Sequence, residues 1–85
     1  MERYAERIFN VEDVLETLND AELRIHLREV LEMLGRIDRK IFLLSVSGVH
    51  NTEIAARYEI TPRTVARRLS KIKAMILDVH TGGGR

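Results

Sequence analysis

The sequence predicts an all-α fold, a small bundle of four to five helices in one domain. Three features carry that reading. Apolar residues recur at intervals of three and four along most of the chain, and no stretch alternates with the two-residue period of a half-buried strand. Gly35, Gly48 and Pro62 are the only glycines and proline before Thr81, and each falls where one apolar stripe stops and the next begins. Residues that cap helices stand before several of those stripes: Asn10, Asn19 or Asp20, and Thr61.

The first element places Tyr4, Ile8, Val11, Leu15 and Leu18 on one helical stripe. Asn10 can divide it by capping a second piece, with Asp13 at the third helical position. The spacing also suits a coiled-coil seam, but two heptads are fewer than such a seam needs, so packing on its own domain is the favoured reading. The second helix is predicted over residues 21–34, with Leu23, Leu27, Val30, Leu31 and Leu34 on one face and Gly35 as its terminating glycine. A third follows over about residues 37–47. Ile41, Phe42, Leu43 and Leu44 make it apolar around much of its girth, which places it centrally in a small core. Gly48 ends it.

From Asn51 the text reads N-T-E-I-A-A-R-Y-E-I-T-P-R-T-V-A-R-R-L-S-K-I. A short helix over 52–58 turns Ile54 and Ala55 inward, and Glu59 and Ile60 make a tight turn. Thr61 then caps a long helix over 62–78, with Pro62 at the first position, where a missing N–H costs nothing. At about 100° per residue, Val65, Leu69, Ile72 and Ile76 share one narrow stripe, which must be the buried edge. Arg63, Arg67, Ser70 and Ala74 lie opposite it, flanked by Ala66 and Lys71. Two helices crossing at a tight turn need a small residue at their contact, and Ala55 supplies it. Together these features form a helix-turn-helix.

Charge agrees with that pattern. Residues 1–35 hold nine acids and four bases, whereas residues 36–85 hold four acids and ten bases. Between Ile60 and Leu77 lie Arg63, Arg67, Arg68, Lys71 and Lys73 with no acid, the footprint of a polyanionic partner. A helix of this shape fits the major groove of B-DNA. Arginine can grip guanine bidentately there, and Ala or Ser allows close approach. The expected base contacts are therefore Arg63, Ala66, Arg67 and Ser70. The expected phosphate contacts are Asn51 and Thr52 at the start of the short helix, with Thr64, Arg68, Lys71 and Lys73 on the long one.

Those residues resemble two families. Residues 23–76 are similar to the region four domain of bacterial sigma factors through L-R-E-V-L-E-M-L, R-K-I-F-L-L, E-I-A, I-T and T-V-A-R-R-L. They also resemble the LuxR-type regulator domain through G-V-H-N-T-E-I-A, T-V and L-S-K-I. Both resemblances imply a four-helix fold that binds the major groove through the positions occupied here by Pro62, Arg63, Ala66 and Arg67. The sigma resemblance further implies contact with RNA polymerase through the second and third helices. Two departures stand out. Glu59 occupies a turn position that is often Gly in these families, and nothing resembles the promoter-melting domain of a sigma factor. If it is the complete protein, the chain is not expected to work as a sigma factor by itself.

Other function classes find little support. Cysteine is absent, which excludes disulfides and thiolate metal sites and fits a reducing cytoplasm. No apolar run approaches the roughly 18 residues that span a bilayer. Glu2, Glu6, Glu12, Asp13, Glu16 and Asp20 make the first twenty residues unlike a secretory signal. His26, His50 and His80 are scattered, with no metalloprotease, nucleophile-elbow or phosphate-loop pattern, so no enzyme activity, cofactor or metal is expected. His50, three residues before Glu53, has capping-box spacing and a structural role.

The expected organisation is a helical extension over 1–20, the helix-turn-helix domain over 21–78 and a flexible tail over 79–85. The expected function is sequence-specific binding of double-stranded DNA in transcription regulation, by a cytoplasmic protein with no membrane partner. A single recognition helix reads few base pairs, so a homodimer or tethering to RNA polymerase is expected to add affinity. The rival reading is a sigma-like module that binds polymerase or a regulator without touching DNA.

Overall fold

The computed structural model describes residues 10–82, with side chains as far as Leu77. Among the described residues there are five helices and no strand: α1 Val11–Glu16, α2 Ala21–Met33, α3 Arg36–Val46, α4 Asn51–Tyr58 and α5 Pro62–Gly82. Each helix expected from the sequence is present. Tyr4 and Ile8, the first part of the expected stripe, lie outside the described residues.

The helix edges follow from side-chain chemistry. Asn10 caps α1 in a reciprocal box: its Oδ1 accepts the Asp13 N–H at 2.8 Å, and Asp13 Oδ2 accepts the Asn10 N–H at 3.0 Å. Asp20 Oδ1 accepts from Glu22 and Leu23 at the start of α2. Arg28 on α2 pairs with Glu12 on α1 at 3.1 Å, an exposed contact that positions α1 more than it stabilises the fold.

Gly35 differs from expectation. It is not a left-handed terminator of α2 but the first cap of α3, with extended backbone at φ −66°. Leu34 ends α2 by going extended while its side chain stays buried in the core. Arg39 on α3 then satisfies the open end of α2, donating to the carbonyls of Leu31 at 3.0 Å and Leu34 at 3.4 Å. A left-handed glycine is not needed at that corner.

Gly48 does take the expected role, with φ 97°, and its N–H and that of Val49 close the end of α3 onto Ser45 and Leu44. The same pattern ends α4, where the left-handed residue is Glu59 at φ 57° and the Ile60 N–H reaches the Ala55 carbonyl at 3.0 Å. A side chain there costs about 1 kcal/mol. Because Glu59 is exposed, replacing it by Gly removes that strain with no packing loss. Glu59→Gly is expected to raise the melting temperature by roughly 4–8 °C, as about 1 kcal/mol does in a domain of this size. An unchanged or lower midpoint in a circular dichroism melt would contradict the strain argument.

Two apolar clusters share α3 and α5. Val14, Leu15, Leu27, Leu31, Leu34, Phe42 and Ile72 join α1, α2, the middle of α3 and the later half of α5. Ile41, Leu44, Ile54, Ala55 and Val65 join α3, α4 and the start of α5. The central place expected for the third helix follows directly: Phe42 faces one cluster, while Ile41 and Leu44 face the other. Helix α5 also runs farther than expected, reaching Gly82 and covering the first residues of the expected tail. Val79, His80 and Thr81 contain no helix breaker, and each added residue costs little once a helix is nucleated. The last three residues of that tail lie outside the described residues.

Candidate nucleic-acid interface

Helix α4 begins at His50, whose Nδ1 accepts the Thr52 N–H at 3.3 Å and lies 3.1 Å from the Thr52 hydroxyl. His50 thus caps the helix, but through Thr52; Glu53, expected as its capping-box partner, pairs with Arg57 at 3.4 Å instead. The α4–α5 turn is held from both sides. Tyr58 and Ile60 each pack against the cluster that contains Ala55, and Thr61 Oγ1 accepts the Thr64 N–H at 3.1 Å while donating to Thr64 Oγ1 at 3.0 Å. Ala55 is only 2% exposed and sits among Ile54 and Val65, so the two helices cross on its methyl group.

That crossing fixes the rotation of α5. Val65 is fully buried and Ile72 is 2% exposed, with Leu69 and Ile76 partly buried along the same edge. Arg63, Ala66, Arg67, Ser70, Lys71 and Ala74 consequently face solvent. Among the described residues, Arg63 and Arg67 make no ion pair or hydrogen bond. Two guanidinium groups one helical turn apart therefore lie on the exposed face of α5, with Ala66 beside them.

The expected contact residues separate onto the two flanks of this helix. On one flank Arg67, Arg68 and Lys71 border a notch against Met33, Gly35 and Asp38, at the corner where α2 meets α3. On the other, Ala66, Ser70 and Lys73 border a notch with Asn51 of α4 and the end of α3. Ser70 thus shares a notch with Asn51 and Lys73 that Arg67 does not line.

Three of the expected phosphate contacts are engaged within the fold. Arg68 Nη1 donates to Asp38 Oδ1 in a half-buried ion pair, the Thr64 hydroxyl accepts from Thr61, and the Thr52 N–H and hydroxyl both meet His50. Nothing in the local sequence announces the Arg68–Asp38 pair, because its members stand thirty positions apart and meet only through tertiary packing. Ser45 and Val46, which bring the end of α3 to the edge of the interface, escape sequence reasoning for the same reason.

Among the described residues, no group of three His, Cys, Asp or Glu side chains could hold a metal ion, and no helix is long and apolar enough to cross a membrane. No characterised protein and no solved structure matches the chain. Residues 24–76 match the family described as sigma-70, region 4, while the LuxR-type resemblance receives no separate support. That match spans more than half of the chain, nearly coincides with residues 23–76 marked by the motifs, and takes in the turn, the small crossing residue and the basic helix described above. The chain belongs to the sigma-70 region 4 family.

Proposed function

We propose that the chain binds double-stranded DNA in a sequence-specific manner to regulate transcription, with α5 as the recognition helix in the major groove. The observation that carries this reading is the unpaired outward face of Arg63 and Arg67, set opposite the buried Val65–Ile72 edge and free of acids along α5 as far as Leu77. A face kept basic and uncovered suits a polyanion, whereas a contact with protein alone gives no reason to exclude acids from it. Arg63 and Arg67 read guanine edges, and Ala66 permits close approach. Lys71, Lys73, Asn51 and the start of α4 grip the backbone. Arg68 and Thr64 contribute indirectly, fixing the angle and the first turn of α5 through Asp38 and Thr61.

Salt titration tests the proposal. Each neutralised phosphate contributes about −0.9 to the slope of log affinity against log salt, so four to six contacts imply a loss of roughly 10²–10³ between 50 and 200 mM. A gel-shift or anisotropy titration on duplex DNA should show that loss. A flat salt dependence, or no binding at the lower salt, removes the DNA reading.

One observation favours an additional contact with protein. Ile25, Met33 and Ile37 are large apolar side chains exposed on α2 and the start of α3. Sigma region four domains bind RNA polymerase as well as DNA, and these positions belong to the helices to which the family resemblance assigns polymerase. The two contacts use different surfaces and can operate together. A homodimer pairing two recognition helices is the other route to sufficient affinity, and the exposed Leu77 on the later half of α5 is a candidate seam residue.

A further inference from the structure

Arg68 stands apart from the other bases of α5. Of Arg63, Arg67, Arg68, Lys71 and Lys73, it is the only one with an ion pair or hydrogen bond among the described residues. Helical phase explains why. At about 100° per residue Arg68 lies within about 60° of both Val65 and Ile72, so it flanks the buried edge and not the outward face. Its Nη1 donates to Asp38 Oδ1 on α3, with 43% of the Arg68 side chain and 33% of the Asp38 side chain exposed. Asp38 is the sole acid lining a notch that also holds Arg67 and Lys71, and neither of those two pairs with it. It occupies the first turn of α3, where the helix dipole favours a negative charge and Gly35 supplies no side-chain cap.

A cation beside a carboxylate adds little to the field that attracts a polyanion, because the two charges cancel at a distance. Resting on the DNA-binding reading above, we infer that Asp38 is a specificity-determining residue. It holds the Arg68 guanidinium at the α2–α3 corner and so withholds one cation from the phosphate backbone. Both side chains reach solvent, so the pair can separate without unfolding, and the long stem of Arg68 lets its head swing outward when released. Affinity for unrelated DNA comes from free cations alone, whereas affinity for a preferred site also draws on base contacts. A complex with unrelated DNA has no fixed register and settles wherever its cations are best matched, so it gains from every base released. A complex held by Arg63 and Arg67 keeps one register, and release of Arg68 alters it less. The pair therefore favours discrimination over affinity.

The slope of log affinity against log salt on a random-sequence duplex of about 20 base pairs counts the engaged phosphates, each adding about 0.9 to its steepness. Arg68→Gln is expected to leave that slope nearly unchanged, whereas Lys71→Gln, an equal loss of charge in the same notch, reduces it by about 0.9. Asp38→Asn releases Arg68 and is expected to steepen the slope by about 0.9, raising affinity roughly tenfold at 50 mM salt. Asp38→Asn/Arg68→Gln should return to the unmodified slope, because Asp38 acts through Arg68. On a site selected from random DNA Asp38→Asn gains less, so the ratio of specific to non-specific affinity falls.

If Arg68→Gln flattens the slope as much as Lys71→Gln does, Arg68 already touches a phosphate and the inference is wrong. It is equally wrong if Asp38→Asn leaves the slope unchanged, or strengthens binding by the same factor with and without Arg68, which is the effect of a bare negative charge. An unchanged affinity ratio refutes the role in specificity. All of these results leave the DNA reading intact, since the unmodified protein still binds; if it does not bind the duplex at low salt, both fall together. Should Asp38→Asn lose helicity, the contrast between Arg68→Gln and Lys71→Gln still decides the outcome.

Discussion

Replacing Val65 by Asp unfolds the domain. Val65 is completely buried in the cluster it forms with Ile41, Leu44, Ile54 and Ala55, and among the described residues no polar or charged side chain is buried. An aspartate there either ionises without a partner or takes up a proton to remain neutral, and both routes cost several kcal/mol. A small domain has only about 5–15 kcal/mol of net stability, and one this short falls toward the lower end, so the substitution consumes most of it. Leu69→Asp is a milder lesion than the helical stripe alone suggests. Leu69 is only partly buried and borders the open notch beside Ser70, so its carboxylate can reach water. Ala74→Asp, on the outward face, should shift stability by no more than about 0.5 kcal/mol. The expected order of destabilisation is therefore Val65→Asp, then Leu69→Asp, then Ala74→Asp, read by far-ultraviolet circular dichroism during thermal melting. A Val65→Asp domain that melts like the unmodified protein would mean that the buried edge of α5 has been misplaced.

That ordering shows what the sequence reveals and what it does not. The rotation of α5 is legible because periodicity is a local property: Val65, Leu69, Ile72 and Ile76 fix which way the helix turns whatever it packs against. Caps are legible for the same reason, since Asn10 with Asp13, and Thr61 with Pro62, act within one turn of chain. Asp38 meeting Arg68 is a different kind of fact. It depends on where the α2–α3 corner lands against α5, and that corner is set by Leu34 going extended and by Arg39 closing the carbonyls of α2. Neither event leaves a pattern in the neighbouring residues. Gly35 is instructive here, because a glycine after an apolar stripe matches a helix terminator in sequence while the chain uses it to start the next helix. Glu59 is the reverse case: the turn demands a left-handed residue, the fold obtains one, and a residue type that resists the conformation bears the strain. The interface divides along the same line. Its outward arginines follow from helical phase, whereas the grouping of Ser70 with Asn51 and Ser45 emerges only when three helices are assembled.

The other large effect expected concerns binding rather than folding. Arg63 and Arg67 are exposed, one turn apart and without partners among the described residues, so truncating either leaves the core untouched. A bidentate arginine–guanine contact discriminates by about 1–3 kcal/mol, so each single substitution to Ala is expected to weaken binding to a site selected from random DNA by roughly 5- to 150-fold. The pair stands close enough on one helix face that the two losses need not add. Binding to unrelated DNA should fall far less, because Lys71 and Lys73 keep their charge and the backbone grip carries no sequence information. The diagnostic quantity is thus the ratio of specific to non-specific affinity, which should collapse toward one in the double variant while its melting curve stays unchanged. A mere loss of positive charge would lower both affinities together and leave the ratio intact. If Arg63→Ala/Arg67→Ala retains the full preference of the unmodified protein, α5 does not read bases with this face, and the region four fold must serve this chain through its contact with protein instead.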